Sequence, residues 1–129
     1  MKKRAVLGII ILLVGLAVLA YGAYHVLTVN YVEANMSEIV AKGFVPIAVG
    51  VVLVIDGVVV RGFRNYYALL IHVIANAPYA LAIIGINNLG QKTAPSTNWQ
   101  DYLMATLIYW VIGIAINIAG IVANRFTKE

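Results

Sequence analysis

The residues of this chain whose types could do chemistry are few, and the main ones lie inside apolar runs. The stretch VVLVIDGVVVRG, residues 51–62, carries one carboxylate, Asp56, among branched aliphatic side chains. An imidazole, His72, and an amide, Asn117, lie in two other apolar runs. Ionisable side chains inside a membrane often mark proton or cation paths, because a charge there is costly unless it has a partner or water.

The three side chains are predicted to lie at a similar distance from one end of their helices, counted from the basic residues that flank each run. Asp56 precedes Arg61 by five residues, which is ~7.5 Å of helix, and His72 follows Arg64 by eight, or ~12 Å. Asn117 precedes the basic residue that closes its own run by eight positions as well. We therefore expect Asp56 to accept a hydrogen bond from His72 or Asn117.

Two further polar residues, Asn76 and Tyr79, follow His72 at helical spacing. The positions i, i+4 and i+7 lie on one helix face, so these side chains share a face with His72. Two interpretations stay open. The layer is either a proton or cation path, or a structural feature, namely a hydrogen-bonded clamp or an Asp56 that reaches the cytoplasmic interface. The sequence does not decide whether Asp56 is protonated, because burial raises a carboxyl pKa and a nearby cation lowers it.

No enzyme or cofactor site is predicted. The chain has no Cys, and its two Ser residues, Ser37 and Ser96, have no neighbouring His and carboxylate. No glycine loop of a phosphate-binding pattern is present. His25 and His72 fall at opposite ends of their runs, which does not suit bis-His haem ligation or a metal site. We expect no catalytic residue, no metal and no cofactor, and at most a non-catalytic subunit of a membrane enzyme complex.

The composition indicates an all-α integral membrane protein with one domain, residues 1–129. Apolar residues make up 63% and charged residues 11%, against about 45–50% and about 25% in soluble domains. Runs of ~20 apolar residues are typical of transmembrane helices. We predict four, at about 5–27, 44–60, 66–87 and 102–124. The first resembles a signal peptide but is longer than an ordinary h-region, so we expect it to be retained.

Basic residues divide unevenly between the predicted loops. Seven fall on one side and two on the other, namely Lys2, Lys3, Arg4, Arg61, Arg64, Arg125 and Lys128 against Lys42 and Lys92. The positive-inside rule then places both termini in the cytoplasm and the loops 28–43 and 88–101 outside a cell membrane. This distribution explains the net charge of +4 without nucleic acid. Asn35, in Asn35-Met36-Ser37, fits a glycosylation acceptor.

Small residues recur every seven positions in each predicted span, so that each set lines one helix face. Such stripes allow helices to approach closely in lipid, and a period of seven favours left-handed, nearly antiparallel crossings. An up-down antiparallel four-helix bundle follows, and surplus stripes could form a subunit interface. The stripes are Gly8, Gly15 and Gly22; Gly50 and Gly57; Ala68, Ala75 and Ala82; Gly113 and Gly120.

Two functions are compatible with these features. The first is a structural or accessory subunit, or a self-assembling component, that associates through small-residue helix faces. The alternative is an oligomeric channel or proton-coupled transporter that uses the layer of Asp56, His72 and Asn117. The expected partners are the lipid bilayer, other membrane subunits and further copies of the chain.

Overall fold

The computed structural model describes residues 2–28, 35–63, 66–92 and 98–126. These residues form six α-helices and one π-helical segment, with no strand in the described ranges. The elements are α1 (Lys2–Thr28), α2 (Met36–Ile39), the π-helical segment (Val40–Phe44), α3 (Val45–Gly62), α4 (Tyr66–Gly90), α5 (Trp99–Ala105) and α6 (Leu107–Phe126). Parts of both predicted outer loops, and the charged residues Glu33, Arg64 and Lys128, lie outside the described residues.

Four helical stretches are long and apolar enough to cross a membrane. They are Ala5–Thr28, Met36–Gly62, Tyr66–Gly90 and Leu107–Arg125. An α-helix needs about 20 apolar residues to cross the hydrocarbon layer. The chain is therefore an all-helical protein of membrane type.

The second span begins earlier than the predicted residue 44. Helix α2 starts at Met36, where the side chain of Asn35 accepts a hydrogen bond from the Ser37 backbone nitrogen at 3.0 Å. The π-helical segment then continues into α3 without a break. The exposed Glu38 and Lys42 pair at 2.8 Å on the outer side of this turn. The turn is amphipathic, so a search for an unbroken apolar run treats it as a loop.

The fourth span begins later than the predicted residue 102. Helix α5 ends at Ala105 and α6 starts at Leu107. The intervening Thr106 turns its hydroxyl back onto the Tyr102 carbonyl oxygen, to which it donates at 2.9 Å. Hydroxyl bonds of this kind compete with the backbone ladder and bend helices. Apolar composition runs through the break and does not reveal it.

Glycines bring α1 into direct backbone contact with α3 and with the π-helical segment that precedes it. A Cβ on Gly8 would lie 2.8 Å from the Gly57 carbonyl oxygen, and a Cβ on Gly22 would lie 2.7 Å from the Gly43 carbonyl oxygen. Gly15 faces the middle of α3 in the same way. Residue numbers rise along α1 as they fall along α3. Side chains at these positions would separate the two helices, so close packing in lipid depends on the missing methyl groups.

Helices α4 and α6 form the second extensive contact. A Cβ on Gly120 would lie 3.3 Å from the Ala68 carbonyl oxygen, and one on Gly85 would lie 2.9 Å from the Thr106 Cγ2 atom. Helices α3 and α4 connect the two pairs through clusters that include Val59, Phe63 and Ala68. All ten residues of the predicted small-residue stripes are buried within the chain.

Replacing Gly50 by Ala should lower stability, because the added Cβ would lie 2.6 Å from the backbone nitrogen of Leu19. Overpacking of this kind costs typically about 1–3 kcal/mol. The loss of helical circular dichroism during a denaturing-detergent titration would measure it. The matched control is Gly62→Ala, whose Cβ would meet nothing within 4 Å. Equal stability of the two variants would contradict the close approach of α1 and α3.

Candidate functional site

Asp56 and His72 meet between α3 and α4. The His72 Nε2 atom lies 2.8 Å from an oxygen of the Asp56 carboxyl group. The His72 side chain is 2% exposed and that of Asp56 is 18% exposed. Away from water, such a pair is stable only when the remaining polar atoms also have partners.

Asn117 and Tyr79 supply those partners. The amide of Asn117, on α6, contacts His72 Nδ1 on one side and the Tyr79 hydroxyl on the other. The four side chains form a continuous hydrogen-bonded series in the order Asp56, His72, Asn117, Tyr79, called the intramembrane network below. The structure thus brings together the three residues that the sequence placed at one level, and adds Tyr79 to them.

Small residues make room for these large polar groups. The Tyr79 ring lies directly over Gly113, where a Cβ would overlap with it. Ala75, one turn from both His72 and Tyr79, is fully buried. The Phe63 ring packs edge-on against the imidazole of His72, with centroids 6.4 Å apart. The network therefore lies in a closely packed interior, between helices rather than toward lipid.

Asn76 shares the helix face of His72 but stays outside the network. Its Oδ1 atom is buried and has no hydrogen-bond partner among the described residues. Pro78 follows inside the same helix and is buried. Proline lacks an N–H, so the carbonyl one turn earlier loses its helical partner. Two acceptors near the network, the Asn76 amide oxygen and this carbonyl, are thus available to water or a proton donor.

A second polar contact, between Thr106 and Trp110, adjoins the network. The Trp110 indole N–H donates to the Thr106 hydroxyl at 3.1 Å, and its ring lies against that of Tyr79 with centroids 5.6 Å apart. Sequence reasoning missed this pair. The i, i+4 spacing of Tyr102, Thr106 and Trp110 was the available signal.

The remaining candidates lie away from the network. His25, near the end of α1, has a buried Nε2 atom without a partner in the described ranges, and its ring faces Gly43 of the π-helical segment. Asn35 is exposed and caps α2. Within the described residues, no three His, Asp or Glu side chains are grouped closely enough to hold a metal ion.

The hydrogen-bond donors and acceptors of the network allow two different proton counts. An Asn amide can present either its oxygen or its nitrogen to a neighbour. When the Asn117 oxygen faces His72 Nδ1, that nitrogen must carry a proton to donate. The Nε2–Asp56 contact then holds a second proton. The Asp56–His72 pair as a whole is then neutral, an imidazolium beside a carboxylate.

When the Asn117 amide turns over, its nitrogen donates to a bare His72 Nδ1 and its oxygen accepts from the Tyr79 hydroxyl. His72 is then neutral, keeps its Nε2 proton toward Asp56, and the network holds one proton fewer. Every contact keeps one donor and one acceptor in both arrangements. The network can therefore gain or lose one proton while keeping all three of its side-chain contacts, each of which would leave a buried group unpaired at a cost of about 1–3 kcal/mol if it were lost.

This counting predicts the tautomer of His72. In a His25→Gln variant, His72 is the only imidazole of the chain, so its ¹⁵N spectrum in detergent micelles can be read directly. We expect both ring nitrogens to be protonated at low pH, and Nε2 alone to be protonated above the titration. A neutral ring protonated on Nδ1 would instead place the proton on Asp56 and contradict the Asn117 rearrangement.

No protein-family model matches the sequence. No curated protein matches it, and no solved structure matches the chain.

Proposed function

We propose that this chain is a multi-pass protein of the cell membrane, an up-down antiparallel bundle whose termini are both cytoplasmic. Four helical stretches long enough to cross a bilayer support this topology. The order of contacts between α1 and α3 and between α4 and α6 supports opposite directions of neighbouring helices. The excess of basic residues in alternate connections supports the orientation.

The topology predicts opposite labelling of two single-cysteine variants, Thr93→Cys and Thr127→Cys. The chain has no native Cys, so a membrane-impermeant thiol reagent reports each position alone. We expect Thr93→Cys to react from outside intact cells and Thr127→Cys to react only after the membrane is opened. Equal reaction of both from outside would contradict the orientation.

Within this topology, we propose that the chain takes up and releases a proton in the membrane, as part of an oligomeric channel or proton-coupled transporter. The observation that carries this proposal is the buried Asp56–His72 pair, extended by Asn117 and Tyr79. Asp56 is the most exposed member, so a proton enters the network through its carboxyl group. The Asn76 Oδ1 atom, one helical turn after His72 on α4, is a buried acceptor that offers a water position next to the network.

The burial of the small-residue stripes favours this function over assembly through those stripes. Each stripe already contacts another helix of the same chain or is buried in the interior, so none of the ten residues is available to a partner. Four helices seldom enclose an aqueous path. Transport therefore requires two or more copies that associate through their branched aliphatic faces.

Proton flux in reconstituted vesicles tests this function. We expect wild-type protein to dissipate an imposed pH gradient, read by a trapped pH-sensitive dye, in the presence of a potassium ionophore. Asp56→Asn keeps the shape of the side chain but removes the group that takes the proton, so flux should fall by roughly 10²-fold, the lower range for loss of a positioned proton-transfer group. The matched control is Asp101→Asn, an exposed carboxylate outside the network, which should retain wild-type flux.

A second candidate is an accessory or self-assembling subunit, and the surface of the chain favours it. Large apolar side chains are exposed along α1, α4 and α6. In an apolar stretch of 18 residues within α1, and in another within α6, only 17% of the residues are buried within the chain. Absence of flux with wild-type protein, or unchanged flux in folded Asp56→Asn, would overturn the transport function and leave this one. Both candidates require no catalysis by the chain itself.

A further inference from the structure

A cavity of about 920 Å³ lies between α3 and the pair of α5 and α6. The end of α1 and the π-helical segment close one end of it, through Val26 and Phe44. Its volume is at the upper end of the range for small-molecule sites, about 300–1,000 Å³. The break at Thr106 falls between the lining residues Leu103 and Leu107, where the wall changes from α5 to α6.

The lining selects an uncharged occupant that contains rings. Among the described residues that line the cavity, none is charged. Four aromatic side chains contribute to the wall, namely Phe44, Trp99, Tyr102 and Trp110. The Trp110 indole N–H already donates to Thr106. Aromatic walls favour ring-containing molecules over saturated chains, because stacked and edge-on ring contacts add to the area that is buried.

The cavity opens sideways. Besides Trp99, which is 57% exposed, four of its lining residues, Val51, Leu103, Leu107 and Ile114, are 39–50% exposed. Three of them lie on helical stretches long enough to cross a membrane, and Leu103 precedes the last stretch by one turn. Their exposed surface is continuous with the apolar faces that would meet the hydrocarbon. An occupant therefore reaches the cavity from within the bilayer.

One wall of the cavity is also one wall of the intramembrane network. The Trp110 ring lines the cavity and lies against Tyr79, with centroids 5.6 Å apart and planes at 37°. Tyr79 in turn contacts Asn117, whose orientation sets the proton count of the network. A molecule that displaces the Trp110 ring changes the packing of Tyr79, and with it the relative stability of the two arrangements.

We propose that the cavity binds a neutral, ring-containing lipophilic molecule taken from the bilayer, and that Trp110 and Tyr79 link its occupancy to the proton count of the network. The binding part stands on the cavity alone. The linkage part rests only on the proposed uptake and release of a proton by the network; with transport, it names the substrate class of the transporter.

Tryptophan fluorescence tests the binding part, because both Trp residues of the chain line the cavity. A Trp99→Phe background leaves Trp110 as the only donor. The probe is N-phenyl-1-naphthylamine, added to the full-length protein in lipid nanodiscs, and the readout is energy transfer from Trp110. We expect a saturable signal above the linear background from probe dissolved in lipid.

Two cavity-filling variants and one control make the result specific. Val51→Phe and Ala48→Phe should each weaken the saturable signal by roughly tenfold, the equivalent of one or two lost aromatic contacts. Val51 is 39% exposed, so its variant adds volume with little strain on the core. Ala80→Phe changes an exposed position of α4 outside the lining. This variant should bind the probe as strongly as the Trp99→Phe protein that carries no further change.

Three outcomes would overturn the binding part. The first is a linear signal that is equal in all variants. The second is complete displacement of the probe by phospholipid acyl chains. Brominated lipid would then quench Trp110 fluorescence equally with and without probe, which would identify the occupant as lipid. The third is a saturable signal that appears only with self-association of the chain, which would identify a second copy.

The linkage part has its own readout in the ¹⁵N spectrum of His72. Saturating probe should shift the pH midpoint between the two ring states in the His25→Gln background, and Tyr79→Phe should remove that shift. Binding without any shift would overturn the linkage and leave the cavity site intact. A shift without proton flux in vesicles would overturn the transport function while supporting the linkage.

Discussion

A polar side chain inside a membrane must find its hydrogen-bond partners within the protein, and His72 makes this constraint visible. Its two ring nitrogens point to groups on two other helices, Asp56 on α3 and Asn117 on α6. The imidazole therefore ties α4 to both neighbours at a fixed depth. A sideways or lengthwise shift of any of the three helices would leave a buried donor or acceptor unpaired, and hydrocarbon offers no substitute.

Close packing of the backbones is the second condition for this arrangement. The hydrocarbon of a lipid is as apolar as a leucine side chain, so helix contact gains little from burial of apolar surface and depends on contact distance instead. Gly50 and Gly57 let α3 approach α1, while Gly113 leaves room for the ring of Tyr79. The small residues thus serve the fold of the single chain. Branched aliphatic side chains are instead exposed along α1 and α6.

The break between α5 and α6 gives this end of the helix bundle a different character. Thr106 bonds back to Tyr102 and receives the indole N–H of Trp110, which holds an aromatic wall beside an apolar cavity. The same indole ring contacts Tyr79 at the end of the network. The polar network and the apolar cavity are therefore only one aromatic contact apart.

The sequence by itself determined the class of the protein and which three polar groups lie at one level of the bundle. Four apolar runs and helical rise were enough to place Asp56, His72 and Asn117 at one level, because both depend only on local spacing. The stripes predicted which faces meet, since a period of seven marks one side of a helix. The predicted starts of the second and fourth spans were wrong, because the amphipathic turn after Asn35 and the break at Thr106 have misleading local composition.

Only the tertiary structure decided which atoms meet. Residue spacing does not predict the order of contacts Asp56, His72, Asn117 and Tyr79. That order depends on the rotation of each helix about its axis and on the volume left free by Gly113. In the structure the Asn76 Oδ1 atom has no hydrogen-bond partner among the described residues, although Asn76 shares the face of His72. The cavity and its contact with the network through Trp110 arise from gaps between helices distant in sequence. Gaps have no local signature, because they are set by the packing of all the helices together.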